Sequence, residues 1–126
     1  MERFKEYETI AYHLIYGELI AAARHRGTVT YQELAQLVGL PVTGNYMGRQ
    51  IGELLGAVSQ NEVINGRPML SAIAVTSSGT VGGGFFTLAR DLGLLNSSHE
   101  VDERKFLEDQ QRKCYAIWKQ TFGKSS

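Results

Sequence analysis

Cysteine occurs once in this chain of 126 residues, as Cys114. A lone thiol has no intramolecular disulfide partner and no neighbour at metal-ligand spacing. That excludes a disulfide framework and a Cys-type zinc site, and leaves a small apolar core residue as the expected role. Histidine is scarce, and neither His13, His25 nor His99 has another soft ligand three or four residues away, so no metal and no cofactor are expected. Long apolar runs are missing as well. No segment approaches the roughly 18 uninterrupted apolar residues of a membrane helix, so the chain is not expected to span a membrane. The opening Met1-Glu2-Arg3-Phe4-Lys5-Glu6 alternates charge and lacks the basic-then-apolar form of a secretory signal, which makes a cytoplasmic location the expectation. Net charge is absent too, since 13 basic residues balance 13 acidic ones. Domains that live on nucleic acid carry a basic surplus, so this balance counts against strong DNA affinity. Residues 31–58 hold only Arg49 against Glu33 and Glu53.

What is present fits one globular domain over residues 1–126, with 43% hydrophobic and 21% charged residues. Apolar positions Phe4, Tyr7, Ala11, Leu14, Ile15, Leu19 and Ala22 recur at helical spacing and predict an N-terminal helix over 4–26, ended by Gly27. Arg24-His25-Arg26 closes it, a cluster that either complements the helix dipole or meets phosphate. Thr30 followed by Glu33 reads as a capping box for a helix over 31–38, stopped by Gly39-Leu40-Pro41. A third helix over 45–58 presents Met47, Ile51, Leu54 and Leu55 on one face and Asn45, Arg49, Gln50 and Glu53 on the other. After the Asn65-Gly66 turn, the apolar run 69–76 predicts a buried strand, then a tight turn at Ser77-Ser78-Gly79-Thr80. Gly82-Gly83-Gly84 leads into a helix over 85–92, and a last helix over 101–122 carries Phe106, Leu107, Cys114, Ile117, Trp118 and Thr121 roughly on one side. The terminal 123–126 is expected to fray. The fold class expected is α+β, mostly helical, a winged helix-turn-helix with flanking N- and C-terminal helices.

Three pieces, Thr30-Tyr31-Gln32-Glu33-Leu34-Ala35, Arg49-Gln50-Ile51-Gly52 and Ser78-Gly79-Thr80-Val81-Gly82-Gly83, occur in this order. Residues 27–95 thereby resemble the C-terminal winged-helix domain of alkylguanine-DNA alkyltransferases and of the catalytically silent alkyltransferase-like proteins. The segment from Gly66 through Ala89 is also similar to small uncharacterised bacterial proteins. The resemblance implies that Tyr31 packs near a DNA phosphate and that Arg49 enters the space left by an extruded base, where guanidinium can stack and donate. From the residues alone, Tyr31 reads equally as a half-buried aromatic closing the turn, and Arg49 as a surface residue paired with Glu53. Where the family carries Pro-Cys-His-Arg, this chain has Leu70-Ser71-Ala72-Ile73. A serine without a base is a poor nucleophile, so alkyl transfer, and catalysis generally, are not expected.

The leading expectation is a non-enzymatic DNA-binding protein contacting double-stranded DNA through Tyr31, Asn45, Tyr46, Arg49 and Gln50, with Ser78 in the wing and Arg24, Arg26 and Arg67 on phosphate. The alternative is a protein-protein interaction module, a homodimer or a subunit of a bacterial assembly, using the same scaffold and its long terminal helices.

Overall fold

The computed structural model describes residues 9–119. Helix α1, Ile10–Arg24, starts where Thr9 Oγ1 accepts the Tyr12 N–H at 3.0 Å. Phe4 and Tyr7, assigned to this helix from their spacing, lie outside the described residues. The buried stripe of α1 is Tyr12, Ile15, Leu19 and Ala23, whereas Leu14 stays 42% exposed. Strand β1, Val29–Thr30, runs directly into α2, Tyr31–Val38. The predicted capping box forms, with Thr30 Oγ1 accepting from Glu33 N at 3.0 Å and Glu33 Oε1 accepting from Thr30 N at 2.8 Å. Helix α3 spans Asn45–Ile64, two turns beyond its expected end, because Val58, Ser59 and Glu62 prolong its buried stripe.

The predicted strand over 69–76 is corrected by the structure. Leu70–Ile73 forms a short 3-10 helix, and only Ala74–Val75 is extended, as β2. Side chains from other elements satisfy the backbone there, as sheet neighbours would otherwise do. Gln110 Oε1 accepts the Met69 N–H at 2.8 Å, Ser59 Oγ accepts the Ser71 N–H at 3.0 Å, and Gln111 Nε2 donates to Ala72 O at 3.0 Å. Strand β2 pairs with β1 in parallel, Val29 opposite Ala74 and Thr30 opposite Val75. Where the wing was expected, the chain makes a loop over 76–80, closed by Thr76 N donating to Thr80 O at 2.8 Å and Gly79 N to Thr76 O at 2.9 Å. Among the described residues no antiparallel strand pair forms.

Helix α4, Gly84–Asp91, and helix α5, Glu100–Lys119, complete the chain. Thr121 and the expected terminal tail lie outside the described residues. The class is α+β and mostly helical. Ile15, Leu19, Leu34, Ile51, Val58, Leu70, Ile73 and Cys114 form the main core, shared by α1, α2, α3, α5 and the 3-10 segment. Met69, Ala72, Phe85, Ala89 and Leu95 form a smaller cluster under α4. Fully burying such side chains stabilises the fold by about 1.5–3 kcal/mol each. The 3-10 segment lies between the two clusters, so Ser71 sits at a junction fixed from both sides.

Candidate binding groove

The capping box makes Tyr31 the first residue of α2 and turns its half-buried ring toward the glycine loop. A Cβ built on Gly82 would stand 2.1 Å from the Tyr31 hydroxyl oxygen and 3.0 Å from the ring carbon bearing it, so only glycine admits the tyrosine in this place. Burial pushes the Tyr31 hydroxyl above its ordinary pKa. On the other side, Gly44 enters α3 at a φ of +96°, and Asn45 and Tyr46 are exposed on the first turn. One turn on, the Arg49 guanidinium lies 5.9 Å from the centre of the Tyr46 ring, a cation–π approach in place of the ion pair with Glu53 that the spacing had allowed.

Tyr31 and Arg49, from different helices, line one cavity of about 280 Å³ together with Ser71, Gly82, Phe85 and Leu88. A second hollow of about 360 Å³ shares Tyr31, Gly48 and Gly82 with it and extends the groove over Gln32, Thr76 and Ser77. The floor is the bare backbone of α3. Gly48, Gly52 and Gly56 recur every four residues and all line the cavity. A Cβ on Gly48 or Gly52 would meet nothing within 4 Å, and one on Gly56 would meet only Leu88 at 3.9 Å. Packing therefore does not demand glycine at these positions, although each costs about 0.5–1 kcal/mol relative to alanine in a helix interior. The i, i+4, i+8 spacing of these glycines was visible in the sequence, but its meaning depends on α4 and the loop standing opposite.

The remaining expected contact residues divide. Ser78 is exposed in the loop, with its Oγ 3.0 Å from Thr76 Oγ1, and Gln50 is half-buried on α3 outside the lining of the groove. Three arginines assigned to phosphate gather elsewhere, around the C-terminal half of α5. Arg24 donates to Trp118 O at 2.9 Å. Arg26 lies over the Tyr115 ring at 5.6 Å. Arg67 lies over the Trp118 ring at 5.5 Å and pairs with the fully buried Glu62 at 2.9 Å, which also accepts a short bond from the Tyr16 hydroxyl. Arg49 is thus the single cation among the residues lining the groove, and Glu53 lines it too.

Ser71 is only 7% exposed, and its hydroxyl lies 2.6 Å from that of Ser59, a residue the sequence reading did not single out. Cys114 is buried in the core, its thiol pushed up to about 12 by desolvation, which keeps it protonated and inert. Among the described residues no group of His, Cys, Asp and Glu is placed to hold a metal ion. No helix among them is long and apolar enough to cross a membrane. Comparison of the chain with family models, with curated proteins and with solved structures finds no match.

Proposed function

We propose that this chain is a non-enzymatic DNA-binding module of winged-helix type, akin to the alkyltransferase-like proteins, with the N-terminal half of α3 laid against double-stranded DNA. The observation that carries the reading is the convergence of Tyr31 and Arg49 on one glycine-floored groove beside the 76–80 loop. An exposed guanidinium over Tyr46 is suited to stacking and to donating to base edges or phosphate, and Asn45 on the same turn adds a polar contact. The loop would serve as a reduced wing. Binding rather than catalysis is supported by Ser71, whose hydroxyl faces another hydroxyl and so has no base to take its proton.

Because Arg24, Arg26 and Arg67 are engaged with α5, few cations remain for phosphate. Affinity for duplex DNA should therefore fall with salt on a shallow slope, about −1 to −2 on logarithmic axes rather than the slope of a strongly basic domain. Fluorescence anisotropy at low salt tests this, with Arg49→Ala expected to weaken binding about tenfold or more. Absence of binding to any duplex at low salt sinks the reading.

One observation favours a second reading. The groove is electrically balanced, and Leu37 on α2, Val42 in the turn after it and Tyr46 on α3 are 40%, 43% and 51% exposed, which suits a protein partner. Ile10 and Val101, at the N-terminal ends of α1 and α5, are more exposed still. A stoichiometric partner that survives nuclease treatment in a pull-down would support this alternative; a strictly monomeric species without partners would remove it.

A further inference from the structure

Beside β1 lies a cavity of about 570 Å³ that shares no lining residue with the groove, formed where the C-terminal half of α1 and helix α2 flank the strand. Among the described residues the sheet has two strands, so the outer edge of β1 pairs with no strand. Which backbone groups face that edge follows from the hydrogen bonds. Alternate residues of a strand turn their N–H and C=O to opposite sides. The Thr30 N–H is taken by Glu33 Oε1 at 2.8 Å and the Thr76 N–H by Thr80 O at 2.8 Å, so the ladder to β2 runs through Val29. Thr28 therefore faces outward with Thr30, is exposed and lines the cavity. Among the described residues neither its N–H nor its C=O has a partner. The residue before it is held in place, because Gly27 N donates to Ala22 O at 2.9 Å and Gly27 O accepts from the Tyr115 hydroxyl at 3.1 Å. An open donor and an open acceptor thus stand side by side on a fixed edge.

The geometry points to this edge as a docking site for an extended peptide that adds one residue to β1 opposite Thr28 and carries a basic side chain beside an apolar one. Backbone pairing supplies the docking, as in strand addition to an open sheet edge, and the walls select the side chains. Apolar surface comes from Ala21 and Ala22 on α1 and from Leu37 on α2. Charge comes from Glu18 and Glu33, both exposed, with His25 the other titratable group of the lining and no Lys or Arg in it. Among the described residues Glu18 has no hydrogen bond or ion pair, so its carboxylate is open to a lysine or arginine of the peptide. Of the exposed apolar residues in the second reading above only Leu37 belongs to this cavity, so the site stands apart from both readings of function.

The test is an NMR titration of the ¹⁵N-labelled full chain with a capped hexapeptide alternating lysine and valine, and with its counterpart alternating glutamate and valine. The lysine peptide is expected to bind about tenfold more tightly. On binding, the Thr28 amide proton should move downfield and its exchange with water should slow about tenfold, because it gains a hydrogen bond. Glu18→Lys, a surface change, should reduce affinity for the lysine peptide about tenfold and raise it for the glutamate peptide. Thr28→Pro removes the open donor at an edge, where proline is tolerated, and should weaken the lysine peptide about tenfold. Equal affinities for the two peptides, no binding of either, or binding that leaves the Thr28 amide unmoved overturns the inference. A Thr28 amide already protected in the free chain overturns it too, assigning the edge to a second copy if dilution removes the protection and to the chain itself if it does not. Should Thr28→Pro fail to fold, Glu18→Lys and the Thr28 amide of the native chain decide.

Discussion

Gly52 has open space where a side chain would stand, and that space is the floor of the groove. Alanine at this position lowers the conformational freedom of the unfolded chain and suits a helix interior, so Gly52→Ala should raise stability by about 0.5–1 kcal/mol, read as a higher urea midpoint. The same methyl group intrudes on any ligand lying along α3, so duplex binding should weaken several-fold in the same variant. A stabilised protein with undiminished binding would mean that the bare helix is not a contact surface. The contrast with Gly82 is instructive, because there a methyl group meets the Tyr31 hydroxyl at once and the ring must be displaced. Two glycine types thus do different work in one groove, one keeping space open and the other admitting a neighbour.

At the scale of elements, α5 holds the 3-10 segment in place and so fixes Ser71 at a distance. Gln110 is 7% exposed, and its Oε1 is the acceptor for the Met69 N–H. Gln110→Ala strands that buried amide and should cost about 1–3 kcal/mol, measured by urea unfolding. An unchanged midpoint would show that the segment does not depend on α5. The same contact explains how much of the fold was legible beforehand. Helices α1 to α5 announced themselves through local signals, such as the apolar spacing of α1 and the Thr30–Glu33 capping box, which act within a few residues of chain. The run 69–76 misled because a buried apolar stretch looks the same whether a sheet or a set of side chains satisfies its backbone, and Ser59, Gln110 and Gln111 are remote in sequence. For the groove, Tyr31 and Arg49 could be named from their motifs and do share a lining. Arg24, Arg26 and Arg67 could not be placed, since an arginine side chain is directed by its tertiary partners, here Trp118, Tyr115 and Glu62.

For the whole molecule, the groups with raised pKa values set the pH range of stability. Burial raises Tyr12, Tyr16, Tyr31 and Tyr115 above their ordinary values, and lifts the Cys114 thiol to about 12. Each is an acid that holds its proton longer in the folded chain than in the unfolded one. Above the ordinary cysteine value of about 8.5 the unfolded chain binds fewer protons than the folded one, so stability falls as pH rises. It should therefore be full at pH 8 and decline progressively from about pH 9 toward 12, with Cys114 alone contributing a loss on the order of 3 kcal/mol by pH 11. Asp109, held below the usual carboxylate range by Lys113 and Arg112, works in the opposite direction at acid pH, but it lies at the surface and solvent screens its pairs. Urea midpoints across pH 7 to 11 test the balance. Cys114→Ala should start from a lower midpoint, because it opens a cavity in the core, yet lose stability with pH more gently than the native chain. Parallel pH profiles would assign the alkaline loss to the tyrosines and not to the buried thiol.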